Sequence, residues 1–123
     1  TSALLLPAGA VMAASLDLPG PFGNAAGCKY LADGIYGDDS VVTLTSEYYE
    51  TFASYCDFAQ VLPMKNGSKV VTMVCGHEGE SYQTIDWMRV VKADERDAYT
   101  LFSEGGDEWE TVRPCTGKDG QGR

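Results

Sequence analysis

The chain has 123 residues, of which 44% are hydrophobic, and it carries a formal net charge of −9. This length corresponds to one domain, and the apolar content is sufficient for a core. Sixteen of the 18 acidic and seven of the nine basic residues lie between Cys28 and Cys115, so the negative charge belongs to the folded part. Such a surface disfavours nucleic acid and anionic lipid as partners. It favours a cationic partner, or it serves solubility alone.

The first fourteen residues resemble the end of a secretory signal. Residues 3–12 form a short apolar run, and the small residues Ala13 and Ala14 fit a cleavage site. The run is too short to span a bilayer, so we expect no membrane span. A periplasmic or secreted location follows from this interpretation. The alternative is an apolar arm that the mature protein keeps and packs on something.

The rest of the chain divides into three parts. Residues 15–27 are rich in proline and glycine and are interpreted as an extended leader. Residues 28–115 form the predicted β-domain, which opens with a short helical turn or strand at residues 28–31. Residues 116–123 are predicted to be a flexible tail.

Four cysteines agree with export. An even number in a small exported chain predicts two disulfides, for which three connectivities are open. We favour Cys56–Cys75 and Cys28–Cys115, which in the loop-entropy model contribute roughly 3 and 4.5 kcal/mol. A zinc site is not expected, because the sequence has no Cys-x-x-Cys pair and only one histidine.

The stretch from Tyr55 to Cys75 predicts a β-hairpin. Asn66-Gly67 between two apolar runs is a strong turn signal, because both residues tolerate a positive φ. If Cys56 faces Cys75, the two residue numbers of every facing pair in the hairpin add up to 131. The turn is then centred between Lys65 and Asn66, with a loop of about four residues.

Seven segments have the β-branched, alternating pattern of short strands, with turn signals roughly every ten residues. They cover residues 40–46, 49–53, the Cys56 strand that follows Ser54, and residues 69–75, 82–91, 99–103 and 109–113. No convincing helix is longer than two turns, and strands do not alternate with helices. The predicted fold is therefore all-β, a small antiparallel meander closed into a barrel or sandwich with two disulfides.

His77 is the only histidine, in the segment Gly-His-Glu-Gly after Cys75. A catalytic role would pair it with Ser81 or Glu80, but the spacing matches no Gly-x-Ser-x-Gly nucleophile motif. Cysteines in disulfides supply no thiolate nucleophile. We therefore expect no enzyme and interpret His77 as an exposed loop histidine.

Acidic turns could supply oxygen ligands for calcium. None follows the EF-hand pattern, and acidic turns are commonly just solvated, so neither a metal nor another cofactor is expected. The candidates were Asp33, Asp38, Asp39, Asp107, Glu108 and Glu110.

Aromatic residues are frequent in the predicted strands. We expect most of them in the core and the others in an exposed patch beside carboxylates, which suits an Arg- or Lys-rich protein surface. They are Tyr48, Tyr49, Phe52, Tyr55, Phe58, Tyr82, Trp87, Tyr99, Phe102 and Trp109.

Four features together resemble small exported two-disulfide β-proteins of bacterial envelopes: the signal-like start, Cys56-x-Phe58, Cys75-Gly-His-Glu-Gly and the terminal Cys115. The resemblance covers most of residues 28–115. A more distant likeness is to periplasmic inhibitors of c-type lysozyme, which are acidic, disulfide-bonded, small β-barrels. Their Ser-Gly-x-x-Tyr loop is not present, and the nearest stretch is Gly-Glu-Ser-Tyr at residues 79–82.

The sequence thus predicts a non-enzymatic, exported binding module for a cationic protein, with a hydrolase inhibitor as the sharpest form. The alternative is an accessory structural subunit of an envelope assembly, marked by a retained segment at residues 1–23. The predicted contact surface comprises loop 76–82 and turn 104–109. Its residues are His77, Glu78, Glu80, Ser81, Tyr82, Asp107, Glu108 and Trp109.

Overall fold

Eight antiparallel strands close into a barrel in the computed structural model, which describes residues 14–116 of the chain. Each strand pairs with its neighbour in sequence, and β1 also pairs with β8. The predicted all-β antiparallel meander is confirmed. Of the two predicted closures, barrel and sandwich, the structure has the barrel. The elements are β1 Phe22–Gly23, α1 Ala25–Asp33, β2 Val42–Leu44, β3 Tyr48–Thr51, β4 Ser54–Pro63, β5 Lys69–His77, β6 Gln83–Lys92, β7 Tyr99–Ser103 and β8 Glu108–Pro114.

The seven predicted strands correspond to β2–β8, and the eighth comes from the predicted leader. Residues 15–27 do not all form a leader, because they contain β1 and the start of α1, so the domain begins before Cys28. Residues 28–31, expected to form a short helical turn or a strand, lie within this helix of nine residues. Residues 1–13 and 117–123, which carry most of the predicted signal remnant and of the predicted tail, lie outside the described residues.

Asn24 fixes the start of α1 against β2. Its side-chain oxygen accepts hydrogen bonds from the backbone N–H groups of Gly27 and Val42, at 2.8 and 3.1 Å. Its amide nitrogen donates to the carbonyl of Ser40 at 2.6 Å. The helix ends at Gly34, whose φ of 77° is one that glycine adopts without strain. An N-cap and a left-handed C-cap thus define a helix of nine residues.

Both predicted disulfides are present. Cys56 and Cys75 are direct partners in the β4–β5 register, while Cys28 in α1 bonds Cys115 just after β8. The N–H of Cys115 also donates to the carbonyl of Pro21, beside β1. The second disulfide therefore covers the β1–β8 seam of the barrel. Two disulfides indicate folding in an oxidising environment.

The β4–β5 hairpin has the predicted register at its cysteines but not at its turn. A bulge between Phe58 and Gln60 shifts the pairing by one residue, so Pro63 faces Lys69. The turn then spans five residues, 64–68, instead of about four, and Gly67 has a φ of 92°. A bulge adds one residue to one strand without a sequence signature that periodicity detects.

Aliphatic and sulfur-containing side chains fill the barrel. Val71, Met88, Leu101 and Val112 are fully buried on four different strands. The expectation that most aromatic residues are core is wrong: of the ten named, Tyr49 and Phe58 are buried and five are exposed. Inward positions of the long strands carry Cys, Val and Met, which leaves aromatic residues at outward positions and at the turns. The exposed five are Phe52, Tyr55, Tyr82, Trp87 and Trp109.

Within the described range, no helix has the length and hydrophobicity of a membrane span.

Candidate functional site

One end of the barrel collects the predicted contact segments. In a meander, alternate hairpin turns lie at the same end, so the turns after β3, β5 and β7 are neighbours. These turns span residues 52–53, 78–82 and 104–107, and we call this end the acidic end. Both predicted segments, 76–82 and 104–109, belong to it. Its carboxylates are Glu50, Glu78, Glu80, Asp86, Glu104, Asp107 and Glu108.

The opposite end has a different charge pattern. Its turns span residues 45–47, 64–68 and 93–98, and they carry or adjoin both basic and acidic side chains. Arg113 forms an ion pair with Glu95 at this end. Charge is therefore distributed unevenly along the barrel axis. The basic residues here are Lys65, Lys69, Lys92 and Arg96, and the acids are Glu47, Asp94, Glu95 and Asp97.

A surface groove of about 350 Å³ runs between the turns after β3 and β5. All five predicted residues of segment 76–82 line it. Exposed aromatic side chains from three other parts of the chain complete the lining, so the groove combines carboxylates with rings. Its lining includes His77, Glu78, Glu80, Ser81 and Tyr82 from the predicted segment and Tyr36, Glu50, Phe52 and Tyr55 from elsewhere.

Glu50 holds one side of the surface groove in place. Its carboxylate accepts hydrogen bonds from the hydroxyls of Tyr30, at 3.1 Å, and Tyr36, at 2.7 Å. The two tyrosine rings stack with centroids 4.3 Å apart, and Phe52 packs edge-on against Tyr36. Hydrogen bonds to Tyr30 and then to Glu50 raise the pKa of Tyr36 well above its ordinary value. This side of the groove is therefore preorganised, and Tyr36 is uncharged at physiological pH.

His77 is not the exposed loop histidine that we predicted. It is the last residue of β5 and is half-buried, and both ring nitrogens are hydrogen-bonded. Nδ1 lies 2.7 Å from the hydroxyl of Ser54, and Nε2 lies 2.7 Å from that of Thr84. The predicted partners Ser81 and Glu80 do not fill these positions. The loop begins later than the sequence indicated, because β5 continues through Gly76.

The hydrogen-bond directions in this network follow from its last member. The Thr84 hydroxyl donates to a carboxylate oxygen of Asp86 at 2.6 Å, so it accepts from Nε2–H of His77. When the His77 ring is neutral, its hydrogen is on Nε2 and Nδ1 accepts from the Ser54 hydroxyl. The chain of four groups links the ends of β4, β5 and β6 at the acidic end.

Sequence reasoning missed Ser54, Thr84 and Asp86, although a signal for the first was available. Ser54 faces His77 in the β4–β5 register, and their numbers add up to 131, the sum fixed by Cys56 and Cys75. The disulfide prediction therefore already placed Ser54 opposite His77. Thr84 and Asp86 required the register of β5 with β6, which no cysteine pair or turn signature specified.

A second hollow, the mouth pocket, opens into the barrel at the acidic end. It encloses about 280 Å³ and is lined by the Cys56–Cys75 disulfide, Met73, Tyr49 and Trp109, among others. The Trp109 ring packs edge-on against Tyr49, with centroids 5.2 Å apart. Of the predicted residues, His77 belongs to both the groove and this pocket.

The remaining predicted residues lie beside the mouth pocket. Asp107, Glu108 and Trp109 line a shallow hollow together with Ser103. Trp109 is shared with the mouth pocket and His77 links that pocket to the surface groove. The eight predicted residues thus form one continuous end of the barrel, although they come from two separate hairpins.

No group of three or more His, Cys, Asp or Glu side chains in residues 14–116 is arranged to hold a metal ion. Two of the acids considered for calcium have other contacts. Asp33 pairs with Lys29 at 2.8 Å, which lowers the pKa of its carboxyl, and Asp38 accepts from the backbone N–H of Ser40 at 2.8 Å. These carboxylates stabilise the end of α1 and the following turn.

The fold and the site together define a small, disulfide-bonded, eight-stranded antiparallel barrel with one acidic, aromatic end. No protein-family model, curated protein or solved structure matches the chain.

Proposed function

We propose that this protein is an exported, non-enzymatic binding module that engages a cationic protein through its acidic end. The periplasm or the outside of the cell is its proposed location, in agreement with two disulfides and a signal-like start. The most specific version of the proposal is that the protein inhibits a basic, lysozyme-type hydrolase. The proposal is supported by charge, by exposed aromatic area and by preorganised geometry.

One observation carries the proposal. Within residues 14–116, no Lys or Arg lines the surface groove, the mouth pocket or the shallow hollow, whereas carboxylates line all three. A concave, acidic surface without cations attracts a cationic partner, accelerates its association and repels acidic competitors. An acidic surface that serves solubility alone has no reason to exclude basic residues from its hollows.

The aromatic residues supply what charge alone does not. Tyr82 and Phe52 are exposed on opposite sides of the surface groove. Tyr55, on β4 between β3 and β5, is also exposed and lines the groove. Buried Tyr and Phe rings are typical energetic centres of protein interfaces, and their faces also bind Arg and Lys side chains. A hydrogen bond from the Tyr82 hydroxyl to the Glu80 carboxylate raises the pKa of Tyr82, so a carboxylate adjoins the exposed ring.

The hydrogen-bonded chain of Ser54, His77, Thr84 and Asp86 has a positioning role in this proposal. It ties together three strand ends at the acidic end, and both ring nitrogens of His77 are engaged. The groove and the mouth pocket share His77, so the network holds the two hollows in a fixed relation.

The test is binding of the oxidised protein to a c-type lysozyme, measured by calorimetry at low and moderate salt. Glu78→Lys/Glu80→Lys reverses two charges in the surface groove, and we expect about tenfold or greater loss of affinity at low salt. The salt dependence should also flatten, because fewer charges are screened. Lysozyme activity, measured in parallel, tests inhibition.

The matched control is Glu47→Lys/Asp94→Lys, which makes the same change in net charge at the opposite end. It should leave affinity nearly unchanged. An equal loss in both variants would mean that net charge matters and the acidic end does not. If lysozyme does not bind, capture from envelope extract distinguishes another basic protein, released by salt, from salt-stable envelope subunits, which would replace the proposal with the structural-subunit alternative.

A further inference from the structure

The mouth pocket has the layered polarity of a small-molecule site. Along β6 the inward positions run from Asp86, which is half-buried, polar and part of the pocket lining, to Met88, which is fully buried. Along β5 they run from His77 to Cys75 and Met73. The opening is thus polar, the next layer is apolar, and the packed core closes the barrel beneath. Mouths of small β-barrels commonly hold a ligand in this way.

Tyr49 is the exceptional residue in this pocket. It lies on β3 directly opposite Cys56, is only 1% exposed, and contributes to the pocket lining. Its hydroxyl is the buried side-chain group that has no hydrogen-bond partner among the described residues. Leaving such a group unpaired costs free energy, so natural structures seldom do so without a reason. The hydroxyl has almost no accessible surface, so a ligand in the pocket does not contact it directly.

Size and charge restrict the ligand. About 280 Å³ is just below the range of sites for drug-sized molecules, so it suits a compact, ring-sized body. Asp86 and Glu104 lie in the lining, which has no Lys or Arg within the described part of the chain. An anion would be repelled, whereas an amine or an uncharged alcohol would be accepted.

We propose that the mouth pocket binds a small organic molecule with a ring-sized apolar body and a cationic or uncharged hydrogen-bonding group, which lies at the polar opening beside Asp86 and Glu104. The apolar body contacts Met73, the Cys56–Cys75 disulfide and Trp109. This site is independent of the proposed protein partner, and it is tested on the chain alone.

Three probes of one ring each separate size from charge: benzylamine, benzyl alcohol and benzoate. Binding is followed by nuclear magnetic resonance, using the methyl signal of Met73 inside the pocket and that of Ile85 outside. Ile85 is 74% exposed on the outer face of β6. We expect the amine and the alcohol to shift the Met73 signal in a saturable way, with the amine the tighter of the two, and benzoate to bind at least tenfold more weakly.

Variants locate the site. Ser103→Leu and Thr51→Leu each add volume at the pocket lining from a different strand, and each should weaken binding of the amine at least tenfold. Tyr49→Phe should leave binding of the amine and the alcohol nearly unchanged while the unliganded melting temperature stays the same or rises, because only an unpaired buried hydroxyl is lost. Ile85→Ser is the matched outer-face control and should change nothing.

Several results would overturn the proposal. One is absence of binding by both the amine and the alcohol, and another is binding of benzoate as tight as that of the amine. Shifts confined to Tyr82 would place the ligand in the surface groove instead. Two blocking variants are included so that a folding defect in one leaves the other decisive.

Discussion

Glu110 occupies an inward position of β8, opposite the fully buried Leu101, and is itself half-buried. Removal of the carboxylate from water raises its pKa, while the charge of Arg113 opposes that shift. The same carboxylate adds to the effect of burial in raising the pKa of Tyr49. The negative charge of Glu110 therefore acts on Tyr49, which lines the mouth pocket.

Because its pKa is raised in the folded state, Glu110 favours folding most when it is protonated. This contribution is complete below the pKa of the unfolded chain and is lost as pH rises through the higher folded value. Glu110→Gln should therefore raise the melting temperature at pH 7, and the gain should disappear near pH 4. Thermal unfolding at the two pH values measures this difference.

Glu108→Gln is the control for that experiment, because Glu108 lies on the same strand and is exposed. It should change stability equally little at both pH values. A gain from Glu110→Gln that persists at acidic pH would show that burial of the charge is not the cause.

At the scale of elements, α1 depends on one close approach. A Cβ added at Gly27 would lie 1.9 Å from the carbonyl oxygen of Val42 and 2.7 Å from its carbonyl carbon. Both atoms are backbone and belong to β2, so they cannot move aside as a flexible side chain would. The helix packs on the barrel at this point only because residue 27 has no side chain.

Gly27→Ala should destabilise the protein by roughly 2–4 kcal/mol, since either α1 or β2 must shift. Gly37→Ala is the matched control: a Cβ there would meet nothing within 4 Å, and the effect should stay within about 0.5 kcal/mol. Chemical denaturation measures both variants. Equal small effects would mean that the helix relaxes from β2 without loss of stability.

The elements that could be predicted are those with a repeating pattern. Strands β2–β8 have alternation over several residues, and paired cysteines fixed one register. The two-residue strand β1 is too short for any periodicity, and its place in the sheet depends on Pro114 and Leu44, distant in sequence. The helix did have local signals, Asn24 as N-cap and Gly34 as C-cap, which the surrounding proline and glycine residues obscured.

The candidate site could be predicted only where it is local in sequence. Segment 76–82 and turn 104–109 stood out by composition, but their proximity follows from the alternation of turns in a closed meander. The mouth pocket could not be predicted. Tyr49 pairs with Cys56 because the chain turns at Phe52 and Ala53, and neither of these is a typical turn-forming residue. Trp109, which packs edge-on against the Tyr49 ring, comes from the far end of the chain.

At the scale of the whole molecule, the two disulfides close loops of very different length. They join residues 19 and 87 positions apart, so in the loop-entropy model they contribute roughly 3 and 4.5 kcal/mol. Replacing both members by alanine should therefore cost more for Cys28/Cys115 than for Cys56/Cys75. Urea denaturation of the two double variants checks the order. The reverse order would indicate that contacts around Cys56 and Cys75 outweigh chain entropy.

The disulfide between Cys28 and Cys115 also determines how the molecule carries mechanical load. Any tension that enters along the chain before Cys28 and leaves after Cys115 passes through one covalent bridge. The 86 residues between them, which include β2–β8 and both concave hollows, form a closed ring outside the path of the force. Only β1 and the first turn of α1 lie on that path. A molecule tethered at both sides would thus keep its acidic end undeformed under pulling, until the bridge is reduced.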